Sequence, residues 1–307
     1  MATLREVKLR IKSVRNISQV TRALQAVSTS RVRRSTQMLM QTRPYAEKAW
    51  KVLGHLANQA GGSSMHPLLV DREQVRHAMI VMVSGDRGLA GAYSSNISRF
   101  ALRTAEKYEQ AVDPVEVSFV TIGRKGRDVI VRSRKKIIGE FSKLPAFPSF
   151  ADVSAIGRLV VDEFLKGEID EVQLVYTDFV NMIKQIPVVK KLLPLTIGMG
   201  EDQVIDMGGV HAHAVQHATP RAYILEPDEA GLLDQIIPRF TALQIYQAIL
   251  ESLASEHAAR MVAMKNATEN AVDLVNGLQL QYNKGRQQGI TSEMIDIVGG
   301  AEALASG

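Results

Sequence analysis

Apolar and small side chains recur at steps of three and four from the first residues of the chain. Leu4, Val7, Ile11, Val14, Thr21, Leu24, Ser28, Val32 and Leu39 form this series, and residues 3–43 contain neither Gly nor Pro. That pattern predicts a long amphipathic helix with a narrow seam. Pro44 should kink or relax it, because proline removes a backbone donor and crowds the preceding turn. Helical composition resumes over Tyr45–Gln59 and ends at Gly61-Gly62-Ser63-Ser64.

The period then changes. His77–Ser84, Val115–Ile122 and Val172–Phe179 are short apolar runs with the texture of buried strands, and Lys136–Phe141 and Val188–Leu195 are further strand candidates. Helical stretches at Asn96–Glu109, Lys125–Arg134 and Ser149–Lys166 separate the first four. Alternating strand and helix predicts a mainly parallel sheet covered by helices. Residues 199–220, rich in Gly and His, read as a loop.

From Asp228 the helical period returns, and beyond Pro238 it runs unbroken to Val298. Heptad positions a (Ala254, Met261, Thr268, Val275, Tyr282) and d (His257, Met264, Ala271, Leu278) are slim. Such a seam favours close approach of a second helix over self-pairing. The obvious partner is the N-terminal helix. The expected fold is therefore α/β: a long antiparallel coiled coil of N- and C-terminal helices plus a central Rossmann-like α/β domain. Residues 1–59 supply one coiled-coil helix, 75–225 the α/β domain and 228–307 the other helix.

Length arithmetic sharpens this. At about 1.5 Å per residue the C-terminal helix is about 115 Å long and the N-terminal one about 80 Å. Thr3 then falls beside roughly residue 284, and about twenty residues beyond it overhang as a single helix. The overhang carries Ile290, Met294, Ile295, Ile297, Val298 and Leu304. A lone helix with that much apolar surface needs a sleeve.

Composition removes several classes of function. The chain has 307 residues and no cysteine, so disulfides, thiolate metal sites and cysteine nucleophiles are excluded. With 46% hydrophobic and 22% charged residues, a sizeable core is expected rather than wholesale disorder. No run approaches the length of a membrane span. Met1–Arg15 has no apolar signal core and reads as the start of the mature fold, which points to a cytoplasmic protein. The formal charge of +5 is concentrated: residues 1–48 hold eleven Lys or Arg against Glu6 and Glu47. A solvated helix face or an acidic partner would account for this. Nucleic acid fits less well, because no aromatic interrupts Met1–Gln41.

The candidate motifs are mostly negative. Gly85-Asp86-Arg87-Gly88-Leu89-Ala90-Gly91 lies between a strand and a helix, but its glycines are spaced G-x-x-G-x-x-G rather than G-x-G-x-x-G. It is expected to be a tight turn carrying a functional surface loop. Gly123-Arg124-Lys125-Gly126 lacks the P-loop frame. His211, His213 and His217 read as incidental loop histidines. His257, beside Glu256, reads as a packing residue. No catalytic set, cofactor site or metal site is expected.

Four segments resemble one family. Residues 9–34 (LRIKSVRNISQVTRALQAVSTSRVRR) are similar to the opening helix of gamma subunits of F-type ATP synthases, bacterial type. So are MVSGDRGLAGAYSSN (82–96), SLASEHAARMVAMKNATENA (252–271) and YNKGRQQGITSEMIDIVGGAEAL (282–304). Departures from the family pattern are Ala90 for a common Cys, Gly285 for Ala or Thr, and Leu24 for Met.

The resemblance implies a non-catalytic rotor of the central stalk, coupling proton-driven rotation of a c-ring to ATP synthesis in an alpha3beta3 ring. The implied partners are the alpha and beta subunits, the epsilon subunit and the c-ring, with no nucleic acid. The implied location is the cytoplasmic face of the bacterial cell membrane, peripherally and through the complex. By motif, Arg286 and Gln287 would meet a catch loop of beta. Arg87 and Ala90 would pass the beta lever, and Arg31 and Arg33 would face acidic beta loops. Ile290, Met294 and Ile297 would sit in an apolar bearing. Two other readings remain to be weighed: a nicotinamide-dependent enzyme with a helical arm, and a basic coiled-coil protein that binds nucleic acid.

Overall fold

A computed structural model of the chain describes residues 3–59, 66–195 and 229–305. The Gly61–Ser64 helix end and the histidine-rich 199–220 segment lie outside the described residues. The elements, in order, are α1 (Leu4–Gln59), β1 (His77–Val83), α2 (Tyr93–Glu109), β2 (Glu116–Ile122), α3 (Arg124–Arg132), β3 (Lys136–Phe141), α4 (Phe150–Leu165), β4 (Glu171–Phe179), β5 (Gln185–Leu193) and α5 (Glu229–Ala305). A short 3-10 turn at Pro67–Leu69 has no counterpart in the sequence pattern. Both long helices continue through their prolines, Pro44 and Pro238.

The chain forms two compact units whose borders fall inside both long helices. One comprises residues 1–28 with 261–307, the other 29–260.

The larger unit is built on a five-stranded sheet in the order β3-β2-β1-β4-β5. The first four strands are parallel, and β5 returns antiparallel beside β4. Strand alternation sorts β1 between two cores. Ile80 and Met82 join Ile97, Ala101 and Ala105 of α2 and Ile130 of α3 on one face. Met79, Val81 and Val83 join α4, the Leu39–Leu53 part of α1 and the Leu233–Leu250 part of α5 on the other. Trp50 and Phe240 stack at 5.3 Å between ring centroids. Gly157 lets α4 close on α5, since a Cβ there would lie 2.6 Å from that of Ala242.

The α5 segment in this unit is buried on nearly every side, polar residues included. Thr241, Gln244, Gln247, Glu251, Ser252, Ser255, Glu256 and His257 all lie inside. Many of the polar groups are held by directed bonds, as burial demands. The Tyr93 hydroxyl donates to the Ser252 carbonyl (3.1 Å), and the Thr177 N–H donates to Ser252 Oγ (3.2 Å). Ser255 Oγ donates to the Thr177 carbonyl (3.2 Å), and Tyr246 donates to the Pro148 carbonyl (3.1 Å).

The smaller unit is a two-helix coiled coil. Ile11, Val14, Ala271 and Leu278 are buried in its seam, with Val7, Val275 and Tyr282 packed against them. The Thr21 and Thr268 hydroxyls meet across it at 2.7 Å. Leu4 sits against Gly285, where an added Cβ would come within 3.0 Å of Leu4 Cδ2. The length arithmetic therefore holds, and the departure at Gly285 has a physical reason: it gives room to the first turn of α1. Beyond that point α5 is exposed on every side through residue 301.

Candidate functional site

Two places carry the residues singled out from the sequence. The first is the glycine-rich loop after β1, in the larger unit. It borders a cleft of about 270 Å³ at the carboxyl ends of β1 and β2, with one wall formed by α5. In open α/β sheets this is where ligands enter.

Here the α3 end of the cleft is occupied from within. The amides at the start of α3, which would otherwise cradle a phosphate, are already engaged. Asp86 Oδ1 accepts from the Arg124 N–H (3.0 Å), the Gly85 carbonyl from Lys125 N–H (3.0 Å) and Ser84 Oγ from Gly126 N–H (3.0 Å). Asp86 Oδ2 also accepts from the Lys143 N–H at 2.9 Å, tying the loop after β3 to the loop after β1. Gly123, at φ +96°, approaches so closely that a Cβ would stand 2.2 Å from the Ser84 carbonyl oxygen. Gly123 thus serves close backbone approach, and Gly126 leaves room for the Met82 and Ser84 side chains. A dinucleotide pyrophosphate would have to displace Asp86.

Behind the loop lies a buried ion pair that the sequence pattern did not announce. Glu256 and Arg260 are in contact one helical turn apart, with side chains only 9% and 10% exposed. Arg260 also donates to the Gly88 carbonyl from Nε (3.3 Å) and Nη2 (3.2 Å), pinning the loop to α5. Gly85 passes so close to the Glu256 carboxylate that a Cβ would stand 2.9 Å from it. Burial raises the Glu256 pKa, with the Arg260 charge opposing. His257 is pushed down to about 4 by burial first and then by the Arg260 and Arg31 charges, so it is neutral at physiological pH. The i, i+4 spacing of Glu256 and Arg260 was the available signal.

Backbone conformation decides which loop residues face outward. Leu89 adopts φ +64°, uncommon for a non-glycine residue. Its side chain is 66% exposed, whereas Ala90 is only 3% exposed. Arg87 is exposed as well. The loop therefore presents Arg87 and Leu89 to the outside, and Ala90 points into the fold. Arg31 is half-buried at the cleft and Arg33 is exposed.

The second place is the C-terminal end of α5, in the smaller unit. Arg286 and Gln287 are exposed there, followed by Ile290 (47% exposed), Met294 (59%) and Ile297 (72%). In the same unit a basic groove is lined by Arg5, Lys8, Lys12 and Arg15 of α1, with Gln279 and Tyr282 of α5. Among the described residues there is no cluster of His, Asp or Glu fit to hold a metal, and no helix long and apolar enough to cross a membrane.

The α3 amides at the sheet edge are engaged by the chain itself, and the long C-terminal helix ends in exposed apolar surface. A family model described as ATP synthase matches residues 3–304. The chain is 41% identical to the ATP synthase gamma chain of Roseiflexus castenholzii over 305 residues, 99% of each. It is 42% identical to that of Stenotrophomonas maltophilia over 304 residues, 99% of this chain and 100% of the relative. Its fold is similar to a chain in the mitochondrial ATP synthase of Euglena gracilis (OSCP/F1/c-ring), with TM-score 0.64, 19% identity and coverage of 99% and 95%.

The chain belongs to the ATP synthase gamma-chain family.

Proposed function

We propose that the chain couples proton-driven rotation of a c-ring to ATP synthesis, and in reverse to hydrolysis, in a ring of alpha and beta subunits. The observation that carries this reading is the end of α5, where Ile290, Met294 and Ile297 stand exposed on a helix with no neighbour among the described residues. Surface of that kind marks a place built for a partner.

In this reading residues 1–59 and 228–307 form the shaft, and 75–225 the domain that meets the epsilon subunit and the c-ring. The apolar end of α5 turns in a collar formed by alpha and beta. Arg286 and Gln287 bond a catch loop of beta, and charge-assisted bonds of this type are both strong and directional. Arg31 and Arg33 meet acidic beta loops electrostatically. Arg87 meets the beta lever, and Ala90 supports it from inside the fold while Leu89 supplies the outer contact. A rotor of this kind does its work by binding each beta conformation with a different free energy, so that turning it shifts the three sites in sequence. The complex sits peripherally at the cytoplasmic face of the cell membrane.

The absence of cysteine makes a direct test available. Leu89→Cys, paired with a single cysteine in the acidic lever loop of beta, is expected to form a disulfide on oxidation. That requires the Cα atoms to come within about 7 Å. ATP turnover should stop when the bond forms and return on reduction. Full ATPase activity in a sample shown to be completely crosslinked would sink the proposal.

A further inference from the structure

The cleft beside the glycine-rich loop holds an imbalance of charge, carried in part by Arg31 and Arg87, which the rotor reading also turns toward beta. Its lining includes two carboxylates, and each is satisfied: Asp86 by backbone amides and the Arg124 guanidinium at 3.8 Å, Glu256 by Arg260. Of the lining cations, Arg31 and Lys143 have no ion pair among the described residues, and Arg87 acts on Glu256 only at longer range.

A second observation points to what is missing. His257 is only 4% exposed, and its Nε2 has no hydrogen-bond partner among the described residues. Its tautomer follows from its neighbour. Arg260 Nη1 lies 3.2 Å from His257 Nδ1, and a guanidinium can only donate. Nδ1 is therefore the acceptor, and the proton of the neutral ring sits on Nε2. A buried N–H without an acceptor is costly, and it lines the same cleft as these three cations. What complements that set is a compact group with several acceptor oxygens and negative charge.

We propose that this cleft binds a small tetrahedral oxyanion of the class of inorganic phosphate. Arg31 and Lys143 neutralise its charge, the Nε2–H of His257 donates to one oxygen, and Arg87 stands at the rim. The volume favours a free ion over a phosphate carried on a nucleotide. About 270 Å³ falls below the roughly 300–1,000 Å³ of pockets that hold drug-sized ligands. Since Asp86 occupies the start of α3, the anion lies between the loops and α5 and not at that helix terminus.

The test is calorimetric titration of the full chain with sodium phosphate, sodium chloride and ATP at constant ionic strength. Saturable binding of one phosphate is expected, with no saturable heat from chloride and weaker binding of ATP. Lys143→Gln, at an exposed side chain, and Arg31→Gln should each weaken phosphate about tenfold, the equivalent of about 1.4 kcal/mol. Arg5→Gln, in the basic groove of the smaller unit, should leave it unchanged. In a chain labelled at histidine, the ring carbon signal that His257→Gln removes should move when phosphate is added. Phosphate heats no different from chloride, equal binding by Arg31→Gln and Lys143→Gln, or tighter binding of ATP would each overturn the proposal. The rotor reading stands or falls separately, on the crosslink.

Discussion

The two ends of α5 invert the usual rule of burial. Residues 241–250 are all buried, and the adjoining turns bury Glu251, Ser252, Ser255, Glu256, His257 and Arg260. Near the other end Ile290, Met294, Ile295, Ile297 and Val298 are between 47% and 72% exposed. Polar groups are inside where other elements bring them partners. Apolar groups are outside where the chain itself supplies no cover. Side-chain character alone does not decide burial; the company each residue keeps does. A polar interior and an apolar exterior on one helix separate the part built to be held by its own chain from the part built to be held by another.

The largest effect should come from breaking the buried pair. Arg260→Ala strands the Glu256 carboxylate and removes the clamp on Gly88, and losing one partner of a buried pair costs about 3–5 kcal/mol. Urea unfolding of the full chain measures this. Replacing both residues together, Glu256→Leu with Arg260→Met, should recover most of the loss. A loss under about 1 kcal/mol from the single change would mean that the buried stretch is not held as described.

Next in size is a pH effect. Unfolded histidine takes up its proton near pH 6.5, but folded His257 does so only near 4. Between those values the unfolded chain binds more protons, so stability present above pH 6.5 is lost as pH falls toward 4. The loss approaches about 3 kcal/mol, because each tenfold difference in proton affinity between the two states is worth about 1.36 kcal/mol. Glu256 works the other way: its raised folded pKa gives stability that is present at low pH and lost as pH rises. Comparing the chain with His257→Gln across pH 4–7 isolates the histidine. Parallel curves would contradict a buried neutral ring.

Gly157→Ala tests the packing that encloses α5. The new methyl meets Ala242 at 2.6 Å. Overpacking of this sort costs about 1–3 kcal/mol, reduced by about 1 kcal/mol from the better helix propensity of alanine. A shift in thermal midpoint should show it, and unchanged or higher stability would mean that α4 yields easily.

The smallest effect on stability should come from the exposed end. Ile290→Lys, Met294→Lys and Ile297→Lys together should change unfolding free energy by under about 0.5 kcal/mol, as surface changes do. The same triple variant should lose assembly with alpha and beta and reduce self-association of the free chain in light scattering. Normal assembly would remove these residues from the bearing.

The parts of the fold that depend on local pattern are readable from sequence. The two long helices follow from gap-free periodicity, and the first four strands from apolar runs such as His77–Val83. The overhang follows from counting residues. What escapes depends on contacts distant in sequence. Asp86 reaches the amides of Arg124 and Lys143, 38 and 57 residues away, and no local pattern announces that. The same holds for the reversal of β5 and for the polar interior around Ser252, whose partner is Thr177. At the loop, the motif points to Arg87 and Ala90, but the structure buries Ala90 and exposes Leu89, whose backbone is left-handed. Spacing cannot reveal a single positive φ.

The hydrogen bonds around Ser252, Ser255, Tyr246 and Arg260 have a mechanical consequence. An apolar socket alone grips without direction, because hydrophobic contact depends on area and not on angle. A cylinder in such a socket can slip about its axis or slide by a turn. Bonds to Thr177, Tyr93, Pro148 and Gly88 leave the cylinder from several sides, and each has its own angle. They act as splines in a keyway. Rotation of α5 within its seat would break them together, so torque applied to the sheet passes into the helix without play.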